Sequence, residues 1–144
     1  MTIQAGFEME WRTLPPVTIE QLRAYAEASG DFNPIHLDEE VARRAGLPGI
    51  IAHGMWVAAQ LSESAQSFVR SEPSLQGYQL IQFHSRFKAM TQLGDTLSIG
   101  GMVREVRERE IWIDLQAKNQ RGEVTTLGSL TFRRSAIFGE SKRF

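Results

Sequence analysis

The chain has 144 residues, of which 42% are hydrophobic and 23% charged, with a formal net charge of −1 and no cysteine. That length holds one ordinary domain with the composition of a soluble globular protein. Balanced charge argues against a nucleic-acid surface, and the missing cysteines exclude a disulfide framework, a thiolate zinc site and a cysteine nucleophile.

The absence of cysteine fits a reducing cytoplasm. No apolar run approaches the ~20 residues that span a bilayer, so no membrane partner is expected. The segment from Met1 to Trp11 carries Glu8 and Glu10 and does not read as a signal peptide. Residues 1–144 are expected to form a single domain, with a tail over 135–144 that frays.

A strand is expected near 7–11. Thr18 then makes a good helix N-cap, Gln21 completes a capping box, and Val17 and Leu22 sit where a hydrophobic staple closes. Gly30 stops that helix. Asp38 caps a second short helix over 39–45, ended by Gly46. A third helix is predicted from about His53 to Val69. Its first turns, Met55-Trp56-Val57-Ala58-Ala59, are apolar all round and predict burial. After Gly77 the period changes to two: Ile81, Phe83 and Phe87, then Leu97, Ile99 and Val103, then Ile111, Ile113 and Leu115, then Val124 to Phe132. These predict four antiparallel strands with one face buried. A sheet wrapped around one long helix is the economical packing, and its uncovered edge calls for a second copy.

The segment Gly30-Asp31-Phe32-Asn33-Pro34-Ile35-His36 places a carboxylate and an imidazole in one tight loop between two capped helices. Such a pair can hold one water and exchange protons with it. Gly54 lies at the head of the predicted long helix, where the backbone N–H has no partner within the helix and the macrodipole favours negative charge. That amide suits the oxygen of a thioester carbonyl that becomes enolate-like.

Ser29-Gly30-Asp31-Phe32-Asn33-Pro34-Ile35-His36, with Ile51-Ala52-His53-Gly54-Met55, resembles the signature of the MaoC-like hydratases, which include (R)-specific enoyl-CoA hydratases and 3-hydroxyacyl dehydratases. Phe87-Lys88-Ala89 and Gly94-Asp95-Thr96-Leu97 are similar to the strand and turn that follow, although Met90 stands where many members have proline. The resemblance implies an α+β hot-dog fold, a curled antiparallel sheet wrapped around a long central helix, homodimeric. It implies Asp31 and His36 as the catalytic pair, the Gly54 amide as the oxyanion donor, and no metal or cofactor, the substrate itself being a coenzyme A or phosphopantetheine thioester.

The expected activity is reversible hydration of trans-2-enoyl thioesters and dehydration of (R)-3-hydroxyacyl thioesters. Asp31 would take a proton from the water while His36, or the water it holds, supplies the proton to C2. Ser62, Asn33, Trp56 and His53 are the candidates for lining the substrate. Ser62 is implied by the resemblance, and Trp56 would narrow the pocket toward short acyl groups. Asn33 has a simpler reading as a loop-shaping residue, and His53 as packing or capping at the helix start. The expected partners are an acyl thioester, a second copy of the chain in a homodimer or larger assembly, and an acyl carrier protein. The alternatives are a hot-dog thioesterase, for which Glu63 is the one carboxylate on the long helix, and a subunit of a heteromeric dehydratase.

Overall fold

The computed structural model describes residues 2–135. Strand β1 (Glu8–Thr13) precedes helix α1 (Ile19–Ser29). A 3-10 turn (Pro34–His36) and helix α2 (Glu39–Arg44) lead to the long helix α3 (Gly54–Ser71). Strands β2 (Tyr78–Phe87), β3 (Ser98–Val106), β4 (Glu110–Lys118) and β5 (Val124–Arg134) follow. The five strands form one antiparallel sheet in the order β1-β3-β4-β5-β2, curled around α3. The expected fraying tail lies, apart from Ser135, outside the described residues. Among those residues no helix is long and apolar enough to cross a membrane.

Local chemistry explains the helix boundaries. The Thr18 hydroxyl accepts from the Gln21 N–H at 3.2 Å, and the Gln21 side chain accepts from the Thr18 N–H at 2.9 Å. Both orphan donors are thereby satisfied reciprocally. Val17 and Leu22 are buried in the same core. Gly30 ends α1 with φ of 79°, a left-handed geometry that glycine adopts without strain.

The core lies between α3 and the concave face of the sheet. Trp56, Val57, Leu61, Ala65 and Val69 meet Ile99, Val103, Ile111, Ile113, Leu130 and Phe132 there. The burial expected all round α3 is not what forms. Met55 is 56% exposed and Ala59 is also exposed, because one copy of the sheet covers only one side of the helix.

Strand β2 also departs from the expected parity. A bulge between Leu80 and Gln82 shifts its register on β5, so Leu80 and Phe83 pack on the core while Ile81 turns outward, and Phe87, on the parity of Phe83, lies half exposed at the strand end beside the head of α3. An extra residue in one strand flips every side chain after it. The first strand begins one residue later than expected and extends to Thr13, with its own irregularity between Met9 and Arg12.

The loop from β2 to β3 is fastened through Asp95, which is 3% exposed. Its carboxylate accepts from both terminal nitrogens of Arg121 at 3.2 Å, from Gln120 Nε2 at 2.9 Å and from the Gln92 N–H at 2.9 Å. Burial alone would raise its pKa. The hydrogen bonds from Arg121, Gln120 and Gln92, with the Arg121 charge, outweigh that and hold it below the usual carboxylate value. The fastening holds Gln92, and with it the bridge from Gln92 to Ile51 beside the candidate site.

Candidate active site

Asp31 and His36 belong to the loop that α1 delivers after Gly30. The Asp31 carboxylate accepts from the Asn33 N–H at 3.1 Å, and the Asn33 side chain accepts from the Ile35 N–H at 3.2 Å. These consecutive side-chain turns fold the loop back, and Pro34 fixes the start of the short 3-10 turn that carries His36. Asp31 stands exposed, whereas His36 is 8% exposed.

His36 Nδ1 lies 2.8 Å from the carbonyl oxygen of Ile51. A carbonyl only accepts, so Nδ1 carries the proton and Nε2 of the neutral ring presents a lone pair. The segment that supplies this carbonyl is held by the Ile51 N–H donating to Ile35 and the Ala52 N–H donating to Thr91 at 2.7 Å. His53 stacks on His36 with ring centroids 4.0 Å apart, and Tyr25 meets His53 edge-on at 4.8 Å.

Asp31, His36 and His53 each offer one ligand-type atom, and these atoms lie within 4.8 Å of one another. A water with two hydrogen bonds spans about 4.5 Å between its partners. A carboxylate oxygen of Asp31 and a ring nitrogen of His36 therefore lie within about the reach of one shared water. The same three side chains are the group among the described residues that could hold a cation.

Gly54 opens α3, so its N–H is one of the helix's unpaired donors at the positive end of the dipole. A Cβ there would lie 3.2 Å from the ring of Phe87, so glycine is what lets that ring close over the helix head. His36, Gly54, Val57, Phe87, Met90 and Thr91 line a cavity of about 360 Å³. Lys88, just past the end of β2, lines it as well. The loop and the helix head thus bring His36 and Gly54 to one space; Asp31 does not line it but offers its carboxylate within 4.8 Å of His36.

The four expected substrate-lining residues sit elsewhere within one chain. Trp56 is buried in the core and does not line the cavity, because its position on α3 faces the sheet. The Ser62 hydroxyl accepts from Gln66 Nε2 at 2.9 Å, two turns beyond the helix head. Asn33 serves the loop through Ile35, as its simpler reading had it. His53 is the N-cap of α3 but its side chain makes no capping bond; it is 1% exposed, and Nε2 lies 3.1 Å from the Asp31 carbonyl oxygen. Sequence reasoning missed Thr91 and Thr126 as cavity walls. Thr126 shares the buried parity of β5, which was a usable signal; Thr91 lies in a loop with none.

A curled five-stranded antiparallel sheet around one long helix, with the site at the helix head, is a hot-dog fold. Residues 3–125 match the MaoC like domain, and the chain belongs to that family. It is 32% identical over 112 residues to fatty acid synthase 2 of Mycosarcoma maydis, covering 76% of this chain and 3% of that protein. It is 32% identical over 91 residues to the mitochondrial 3-hydroxyacyl-[acyl-carrier-protein] dehydratase of Arabidopsis thaliana, covering 63% of this chain and 50% of that one. The chain thus spans half or less of the length of these relatives.

Among solved structures, the ChsH1-ChsH2 complex from Mycobacterium tuberculosis superposes with a TM-score of 0.80 at 16% identity, covering 94% of this chain and 100% of that one. The (R)-hydratase from A. caviae involved in PHA biosynthesis gives 0.78 at 20% identity, covering 93% and 98%. At these identities the likeness is one of fold.

Proposed function

We propose that the protein reversibly hydrates trans-2-enoyl thioesters and dehydrates (R)-3-hydroxyacyl thioesters, with the acyl group carried on coenzyme A or an acyl carrier protein. The reading is carried by one observation: the Asp31 carboxylate and the His36 ring converge to within 4.8 Å beside the cavity that the bare head of α3 lines. The family and its dehydratase relative in Arabidopsis thaliana support the same chemistry.

In hydration, the water donates one O–H to the Asp31 carboxylate and the other to the lone pair of His36 Nε2. Its oxygen bonds to C3 as Asp31 takes the first proton. The π electrons of the double bond move toward C2 and the thioester oxygen, where the Gly54 N–H receives the developing charge. The neutral His36 tautomer has no proton on Nε2 to give. The proton that reaches C2 is therefore the one Asp31 has taken, and the carboxylate is restored. Positioned acid–base groups of this kind contribute about 10²–10⁴-fold, and an oxyanion donor about 10²–10³-fold. Lys88 on the cavity wall offers a cation to a phosphate of the carrier arm.

A homodimer in a reducing cytoplasm is the working form we assign. Strand β2 is paired on one side only, and Met55, Ile81, Phe87 and Met90 are each 46% exposed or more. An unpaired edge beside exposed apolar side chains is a surface that a second copy would cover. A heteromeric pair is the second reading, favoured by the likeness to the two-component ChsH1-ChsH2 complex. The thioesterase reading loses its carboxylate, since Glu63 is exposed and ion-paired to Arg70 at 2.8 Å.

A crotonyl thioester assay on the purified chain tests the reaction. Loss of the enoyl absorbance without release of free thiol is the expected result. Thiol release would point to hydrolysis, and activity only on adding a second subunit would point to the heteromer.

A further inference from the structure

The hydrogen bonds of Asp31 single out His53. Asp31 donates its N–H to the Ser29 hydroxyl and accepts from the Asn33 N–H, both two residues away. Such local turns shape the loop but do not fix where it lies. Among the described residues, the hydrogen bond that joins Asp31 to a distant part of the chain is the one between its carbonyl oxygen and His53 Nε2, at 3.1 Å across 22 positions. That bond ties the loop to the head of α3, the element that also presents Gly54.

The bonding partners fix the state of the His53 ring. The Asp31 carbonyl can only accept, so Nε2 carries the proton. Nδ1 is buried and has no partner, so in the neutral ring it holds an unpaired lone pair, and a proton added there would be buried without an acceptor. The titratable groups that face the ring are the Asp31 carboxylate, His36 from the 3-10 turn and Tyr25 from α1. A residue present only to fill this space would be apolar, because a buried nitrogen with nothing to bond is a cost that an apolar side chain avoids. The ring is explained by what its other nitrogen does.

We infer that His53 is a positioning residue: a neutral ring that clamps the Asp31 loop to the head of α3 through Nε2–H and supports the face of His36, so that carboxylate and imidazole keep a spacing that one water bridges. His53 does not line the cavity, so it acts through Asp31 and His36 and not on the substrate. The inference rests on the proposed hydratase function for its kinetic test, and has a second test that does not.

The kinetic test is a double-mutant cycle. His53→Phe keeps an aromatic ring and removes the donor; His53→Gln keeps a donor and removes the ring. Each is expected to lower kcat on crotonyl thioester by about 10-fold or more while KM moves less than about 3-fold. Placed on Asp31→Asn, His53→Phe is expected to cost less than about 3-fold further, since the group it positions is already gone. Equal losses in both backgrounds, or a wild-type kcat for both single variants, would overturn the inference. If His53→Phe does not fold, His53→Gln carries the same cycle. The second test uses the unaltered protein: imidazole ¹⁵N resonances are expected to show His53 with a proton on Nε2. A proton on Nδ1 would refute the clamp. Wild-type hydration with an indifferent His53 would remove this inference alone; absence of hydration would remove the functional reading, leaving the ¹⁵N result to judge the clamp.

Discussion

His36 donates Nδ1–H to the carbonyl oxygen of Ile51 across 2.8 Å, and that single bond decides what the imidazole can do. It fixes the tautomer, turns Nε2 into an acceptor, and ties the 3-10 turn to the strand-like segment just before α3. Two pieces of backbone 15 positions apart are thereby held at one spacing.

Asp31 and His36 act on one water, so their losses are not expected to add. Asp31→Asn and His36→Ala should each lower kcat by about 10²-fold or more, and the double variant should fall little below the worse single one. Steady-state rates on a short enoyl thioester give the comparison. Multiplicative losses would mean that the two side chains work on separate steps.

Gly54→Ala places a methyl 3.2 Å from the Phe87 ring. Phe87 is half exposed and can swing aside, so the fold should survive with a thermal midpoint close to wild type. The amide N–H is retained, but the displaced ring enters the cavity and shifts the substrate, so hydration should fall by about 10-fold or more, as misplaced reacting groups do. Adding Phe87→Ala should recover part of that rate, since it removes the ring that the methyl displaces.

Trp56 packs in the core and not on the cavity, so its truncation is a stability experiment. Trp56→Ala should cost about 3–5 kcal/mol of unfolding free energy. Denaturant unfolding measures it. Acceptance of longer enoyl chains should not change in the folded fraction; a gain in chain length would restore Trp56 to the pocket wall.

Asp95 gives a pH dependence whose sign is fixed. Its folded pKa lies below the ordinary 3.8, so it stabilises the fold at any pH above that value, and the contribution fades as pH drops from 3.8 through the folded pKa. Asp95→Ala should destabilise by about 2 kcal/mol at neutral pH, the scale of leaving buried donors unpaired. The difference from wild type should shrink in acid below 3.8, measured by chemical denaturation across that range.

Much of this architecture was readable from local chemistry. The Thr18–Gln21 capping box, the stop at Gly30 and the period-two runs after Gly77 are short-range signals, and the helices and strands form where they point. The Asp31–His36 loop was legible for the same reason: its turn residues and its reactive residues are neighbours. What stayed hidden depends on contacts between distant segments. The bulge at Ile81 reverses a parity that the sequence alone leaves unbroken. The outward face of α3 at Met55 and Ala59 reads as core until one sees how much of a helix a single curled sheet can cover. The bond from His53 to Asp31 spans 22 positions and has no periodic signature.

The most direct measurement follows the enoyl absorbance of crotonyl thioester with wild type and Asp31→Asn side by side, with a thiol reagent present and the product resolved on a chiral phase. Hydration is expected with wild type, giving (R)-3-hydroxybutyryl thioester and no free thiol, and Asp31→Asn should be slower by about 10²-fold. An Asp31→Asn enzyme as fast as wild type, or a wild type that liberates thiol in place of adding water, would contradict the account.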